Sequence, residues 1–462
     1  MIVFRAPKRR LNPSDLKSET CPLNLLIQLG EVEAALTDKN FPETERLRQV
    51  TLQAARAVLT GSHPPAVELP KDPIEVSVPE GYAYYGLDPT TYVASAHRFY
   101  EEHHPAEVVC IGIRSIGTSL SALVAAALEL RGVRVTSFTV RPGGHPFERK
   151  LNVTPDLLCS QNRPNAWFAV VDEGPGLSGS TFAAVAGKLS ELGIPDDRIV
   201  LFPSWLPDGD SFVSQRAQAI WKRHAKYSTD PVPNPAWRAF VAPAPRGNPQ
   251  HEARKYLDGE HLLKFEGLGP YGQTRMERAL RLYHARFSPR VFGIENGYMR
   301  SDFVPGTPLN RDHRDPQLFE TMARYLAFRF LEFRTNAATP LEELSAMVET
   351  NCGTRPAAAF EPAPATVADG RMFPHEWIAT ERGYLKIDAV DHGDNHFYPG
   401  PTDIAWDLAG AITEFHLDRY ESAHLIDRYI AHSQDEQVRQ RLPFFRLAYS
   451  AFRHGYRSMY DC

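Results

Sequence analysis

From Phe168 to Phe182 the chain reads FAVVDEGPGLSGSTF. Four apolar residues run into two adjacent carboxylates, Asp172 and Glu173, and then into a loop of glycine and hydroxyl residues that opens a helix. A buried strand would fix both carboxylates at its C-terminal end, where open α/β sheets bind ligands. Carboxylates there accept hydrogen bonds from a vicinal pair of sugar hydroxyls. The loop Gly176-Leu177-Ser178-Gly179-Ser180-Thr181 would turn backbone N–H groups and a positive helix end toward a phosphate.

Outward from this stretch, short apolar runs alternate with amphipathic segments: VVCIGI, SLSALVAAALELRG, VRVTSFTV, WFAVVDE, TFAAVAGKLSELG and IVLFPSW. Continuous apolar strands separated by helices predict a parallel sheet covered on both faces, joined by right-handed crossovers. One βα unit before the acidic pair, a second loop follows VVCIGI: Arg114-Ser115-Ile116-Gly117-Thr118. Arg114 offers a planar donor fork suited to an oxyanion. After VRVTSFTV comes RPGGHPFERK, a glycine- and proline-rich loop carrying Arg141, His145, Arg149 and Lys150.

At 462 residues the chain is too long for one ordinary core, so more than one domain is expected. Residues 1–95 read as a helical N-terminal appendage, 96–205 as the parallel-sheet domain, 206–247 as a proline-rich linker and 248–462 as a second domain. A net charge of −5 over this length implies no bulk attraction to nucleic acid or membrane. Five scattered cysteines without a C-x-x-C pair predict neither zinc site nor disulfide framework. The apolar run Ser119–Leu130 falls short of the roughly 20 residues that span a bilayer, and MIVFRAPKRR turns basic too early for a signal peptide. A cytoplasmic protein is expected, with a homodimer allowed for. The G-x-G-x-x-G fingerprint of a dinucleotide-binding dehydrogenase is missing.

The two loops and the acidic pair resemble the type I phosphoribosyltransferases, in the order in which that family builds its phosphoribosyl pyrophosphate motif. The resemblance implies that Asp172 and Glu173 hold the ribose, that Gly176, Ser178, Gly179, Ser180 and Thr181 hold its 5-phosphate, and that Arg114, Ser115, Gly117 and Thr118 grip the pyrophosphate. Arg141 and Arg149 would belong to a catalytic hood. The glycine loop carries one residue more than the common pattern, and Pro175 stiffens it.

The second half resembles the aminoglycoside phosphotransferase and choline kinase group, a small-molecule branch of the protein-kinase fold. Lys264, mid-strand in HLLKFEG, stands as the nucleotide-anchoring lysine, with Glu277 in the next helix as its implied partner. Asp369 in ADGRMFPHEW stands as the catalytic aspartate, His375 where a metal-binding asparagine is usual, and Asp388 after GYLKI as the metal-holding aspartate. The run DAVDHGDNH offers Asp388, Asp391, His392, Asp394 and His396 as mixed oxygen and nitrogen ligands. Departures are the missing His-Gly-Asp before the catalytic loop and the missing asparagine after Asp369.

The fold expected is therefore α/β, a Rossmann-like phosphoribosyltransferase domain followed by a kinase-like α+β domain. The function implied is a bifunctional enzyme using phosphoribosyl pyrophosphate, ATP and Mg2+ on small molecules, the first domain transferring phosphoribose to a nitrogen base or running the reverse. For the second domain an active kinase, a non-phosphorylating binder and an unrelated helical domain stay open. The alternative for the whole chain is a nucleotide-sensing regulator with a non-catalytic module.

Overall fold

The computed structural model describes residues 8–18, 21–63, 69–152, 165–176, 178–231, 234–240, 254–395 and 398–458. Leu177 of the glycine loop and His396 of the acidic run lie outside them. Two compact units emerge, one of Lys8–Pro235 with Leu268–Pro270, the other of Ala236–Gly267 with Tyr271 onward. Among the described residues, no helix is long and apolar enough to cross a membrane.

In the first unit, β1 (Lys8–Leu11) and α1 (Pro13–Ser18) lead into α2 (Pro22–Asp38) and α3 (Thr44–Thr60). Then β2 (Ile74–Ser77) pairs antiparallel with β1, and a π-helical turn (Gly81–Tyr85) precedes α4 (Thr90–His103). The sheet comprises β3 (Glu107–Ile113), β4 (Arg134–Val140), β5 (Trp167–Val171), β6 (Ile199–Phe202) and β7 (Ala225–Lys226). It is wholly parallel, in the order β4-β3-β5-β6-β7. Its crossover helices are α5 (Gly117–Glu129) and α6 (Ser180–Glu191), with α7 (Gln215–Arg223) before β7.

Helix α5 shows why residues 8–95 belong to this unit. Every residue from Gly117 to Leu128 is buried, as a helix apolar all round must be. One side lies on the sheet; α2, α3 and α4 cover the rest. Burying side chains such as Leu120, Leu123 and Leu128 contributes about 1.5–3 kcal/mol each. Arg48 of α3, itself buried, donates to Thr118 O at 2.8 Å and Ser121 Oγ at 2.9 Å. A Cβ on Gly30 of α2 would stand 2.9 Å from the Ser119 Cβ, so glycine permits this close approach.

The second unit carries an antiparallel sheet of β8 (Arg238–Ala239), β9 (Lys255–Asp258), β10 (His261–Phe265), β11 (Val291–Glu295) and β12 (Tyr298–Asp302), in the order β11-β12-β10-β9-β8. Helix α8 (Pro270–His284) separates the third strand from the fourth. A largely helical part follows: α9 (Pro316–Glu332), α10 (Leu341–Cys352), the hairpin β13 (Trp377–Thr380) and β14 (Gly383–Lys386), then α11 (Ala405–Glu414), α12 (Arg419–Ser433) and α13 (Val438–Ser458). Its core gathers Trp377, Trp406, Tyr325 and Tyr429. Asp315 caps α9 through Leu318 N at 3.0 Å, and Asp418 with Glu421 forms a capping box on α12. In the hairpin Trp377–Thr380 pairs with Gly383–Lys386, and the acidic run after it is a bend and a short 3-10 turn at His392–Asp394. Both units together make a mixed α/β protein with a parallel sheet.

Candidate functional site

Strand order places the first candidate site. From β3 the chain crosses to β4 on one side of the sheet, then returns to place β5 on the other side of β3. Loops leaving β3 and β5 therefore diverge, and such a topological switch point is where open parallel sheets bind ligands. The loop after β3 holds Arg114 and Ser115; the loop after β5 holds Asp172 and Glu173.

Asp172 is half-buried; its Oδ1 accepts from Glu173 N at 2.9 Å, and Thr181 hydrogen-bonds the same carboxyl. Burial pushes Asp172 up to about 7 against those hydrogen bonds and the nearby charges of Arg149 and Arg141. Glu173 accepts from Gly81 N at 3.1 Å. Burial, followed by the charges of Glu80 and Asp172, raises it to about 8. The Tyr92 hydroxyl donates to Asp172 O at 2.7 Å. Both acids thus keep their protons to higher pH than ordinary carboxyls.

Not every loop residue faces a ligand. Gly117 and Thr118 are buried in the packing of α5. A Cβ on Gly117 would come 2.6 Å from Val171 O, so this glycine serves helix-to-strand contact and not an anion. Thr118 N bonds Ser115 O at 3.1 Å beneath the loop. Ser115 is half-exposed and Gly176 open, with nothing within 4 Å of its would-be Cβ. Gly179 takes the left-handed conformation, φ 61°, and a Cβ there would lie 2.6 Å from the Phe212 ring. Ser180 Oγ donates to Pro146 O at 2.6 Å and pairs with Ser178 Oγ at 2.9 Å, which ties the basic loop to the start of α6. Arg149 reaches Pro142 O at 3.4 Å. Arg114 and Arg141 meet on one carboxylate, that of Asp38: Arg114 Nε at 2.9 Å and Arg141 Nη2 at 2.6 Å.

In the second unit Lys264, on the third strand, is buried among three carboxylates: Asp388 at 2.6 Å, Asp391 at 2.8 Å and Glu266 at 3.0 Å. Glu277 is not among them. It lies on the exposed face of α8, bonded by Gln273 at 3.2 Å, because Arg275 and Arg278 take the inward helical phase toward Asp394. Glu266 was reachable from sequence, since residues two apart on a strand share a face. Burial raises it to about 7, with Lys264 opposing. For Asp388 burial is outweighed by Lys264 and Lys255, which hold it well below the usual carboxylate range.

Asp369 is 1% exposed, bonded by the Tyr325 hydroxyl and by Lys386 at 3.4 Å. Its amide N and that of Gly370 bond Asp407 at 2.7 and 2.9 Å. This enclosure suits a buried strut, whereas a catalytic base must reach a substrate hydroxyl. His375 stacks on Phe373, and burial lowers it to about 4, helped by Arg371 and Lys386.

Among the described residues, two overlapping groups could hold a divalent cation: Asp369, Glu376 and His392, and Asp388, Asp391 and His392, the second reaching the less enclosed side chains. Ligand atoms of Asp388, Asp391 and His392 lie within 4.8 Å of one another, with His392 replacing His375 in the set. Burial lowers His392 to about 3, so its imidazole is neutral, and its Nδ1 is buried without a hydrogen-bond partner. A neutral imidazole with two carboxylates is a donor set that a divalent metal accepts.

No family model and no curated protein matches the chain. Among solved structures it is similar to a choline kinase from Streptococcus pneumoniae, at 13% identity and a TM-score of 0.32, over 47% of this chain and 83% of that one. An ethanolamine kinase from Plasmodium vivax gives 13% identity and 0.31, over 45% and 73%. An aminoglycoside phosphotransferase from Streptomyces rimosus gives 18% and 0.25, over 47% and 92%.

Proposed function

We propose that this chain joins a phosphoribosyl pyrophosphate site in its first unit to an ATP- and magnesium-dependent small-molecule phosphotransfer site in its second. One observation carries the first part: the Asp172–Glu173 pair ends β5 beside the switch point, directly before a loop that enters α6 through a left-handed glycine. In this reading the ribose hydroxyls bond Asp172 and Glu173, the 5-phosphate takes the amides at the start of α6, and Arg114 with Arg141 takes the pyrophosphate. The bond between anomeric carbon and pyrophosphate oxygen breaks, pyrophosphate leaves with the electron pair, and a nitrogen of the acceptor base forms the new bond. The acid pair and the arginines stabilise opposite charges as they develop, and such preorganised electrostatics is usually the largest catalytic contribution.

For the second unit, support comes from a lysine on the third strand facing an aspartate that follows a β-hairpin, the placement kinases use for phosphate and metal. A magnesium ion held by Asp388, Asp391 and His392 would supply charge neutralisation at the ATP phosphates. Lys264 and Lys255 would bind those phosphates, the second already lying 3.4 Å from Asp388. The enclosure of Asp369 favours a second reading for this unit, a nucleotide-sensing module that binds without phosphorylating.

Calorimetric titration with phosphoribosyl pyrophosphate and with Mg-ATP, followed by product analysis over a panel of bases, tests both parts. The first part requires phosphoribosyl pyrophosphate binding and base-dependent pyrophosphate release. Binding without release or ATP consumption would select the sensor.

A further inference from the structure

The carboxylate of Asp38 stands where the two arginines assigned to pyrophosphate converge. Asp38 is the last residue of α2, a helix end whose exposed carbonyls disfavour an anion. Arg114 follows β3 and Arg141 follows β4, so both rise from the C-terminal edge of neighbouring parallel strands. Each grips a different oxygen of Asp38, Oδ1 by Arg114 Nε at 2.9 Å and Oδ2 by Arg141 Nη2 at 2.6 Å. The Arg114 guanidinium is aimed by further bonds from Nη1 to Thr139 O at 2.9 Å and Thr139 Oγ1 at 3.3 Å. Two guanidiniums bridged through separate oxygens of one carboxylate are arranged as they would be for a phosphate-type oxyanion.

We propose that Asp38 is an internal competitor for this arginine pair, displaced when a diphosphate group binds. This rests on assigning Arg114 and Arg141 to pyrophosphate. It adds a residue from α2 that sets the affinity of that subsite. A carboxylate covalently tethered beside two arginines has a high effective concentration, so the arginines are open only part of the time. The apparent affinity for a diphosphate is reduced by that open fraction. After displacement the Asp38 carboxylate, 30% exposed already, passes to solvent.

Calorimetric titration of the full chain with inorganic pyrophosphate decides the matter. Wild type, Asp38→Asn, Asp38→Ala and Arg141→Gln are compared, with folding checked by circular dichroism and ribose 5-phosphate titrated in parallel. Both Asp38 variants are expected to bind pyrophosphate roughly tenfold tighter than wild type, the gain from an open fraction near one tenth, and Arg141→Gln to bind it more weakly. Unchanged or weaker pyrophosphate binding by both folded Asp38 variants, while wild type binds, overturns the competitor and leaves the pyrophosphate reading standing. If no variant binds pyrophosphate while ribose 5-phosphate binds, the assignment of the arginines fails and the competitor with it.

Discussion

Replacing both acids at the end of β5, Asp172→Asn with Glu173→Gln, should remove sugar-phosphate binding and at the same time make the protein more stable at alkaline pH. Burial carries Asp172 from an ordinary 3.8 to about 7, and Glu173 from 4.5 to about 8. For Asp172 this corresponds to roughly 4 kcal/mol of preference for the neutral acid. Because the side chain is only half-buried, solvent screening reduces the part expressed in stability to about 1–2 kcal/mol. The sign follows from proton linkage: an acid with a raised folded pKa holds its proton more tightly folded than unfolded. Stability is therefore full below about pH 4, falls as pH rises through the window to about 8, and stays low above it. The uncharged variant lacks this loss. Thermal unfolding at pH 5 and pH 8.5 should show the variant's advantage over wild type growing by at least the Asp172 share of about 1–2 kcal/mol, and calorimetry with phosphoribosyl pyrophosphate should show affinity lost, each hydrogen bond to a charged acid contributing about 1.5–3 kcal/mol. An advantage that is equal at both pH values would refute the burial argument, and unchanged affinity would refute the ribose assignment.

Three further outcomes follow from the same geometry. Gly179→Val should destabilise the first unit by about 1–3 kcal/mol in urea unfolding, since its φ of 61° is closed to a branched residue and the new Cβ meets the Phe212 ring; a variant as stable as wild type would contradict the contact. Lys264→Met should lower magnesium-dependent ATP affinity and cost about 3–5 kcal/mol of stability, because it strands buried carboxylates, whereas Glu277→Gln on the exposed face should change stability by less than about 0.5 kcal/mol and leave ATP affinity alone; equal losses in the two would show that Lys264 moves to α8 when nucleotide binds. Asp388→Asn should abolish ATP-dependent phosphate transfer in a product assay while sparing part of the binding, and a fully active variant would remove the metal from Asp388.

What could be read in the sequence is what local pattern determines. The runs VVCIGI and FAVV have no polar face, so they had to be central strands, and they are β3 and β5. The two-residue strands β7 and β8 carry no such signal, nor does the π-helical turn at Gly81. For the site, proximity to a strand end located Asp172, Glu173 and Asp388, because a strand fixes where its next residue emerges. Positions set by tertiary packing were out of reach. Glu277 and Arg278 are neighbours in sequence, yet only the second faces inward. Asp369 faces inward because Tyr325 and Arg329 of α9 wait there for it. Asp38 and Gly81 reach their partners across 76 and 92 residues, and nothing in their own neighbourhoods announces it.

The Gly81 amide on Glu173, the Tyr92 hydroxyl on the Asp172 carbonyl and the Asp38 carboxylate on two arginines all come from chain that precedes the parallel sheet. The described residues from Lys8 to about 95 and the sheet thus form one piece. A recombination event near residue 95 would give its descendants an intact set of strands whose paired acids had lost a donor and whose arginines had lost their resident anion. Such a crossover would change the charge and hydrogen bonding around both strand ends without touching any residue of the glycine loop.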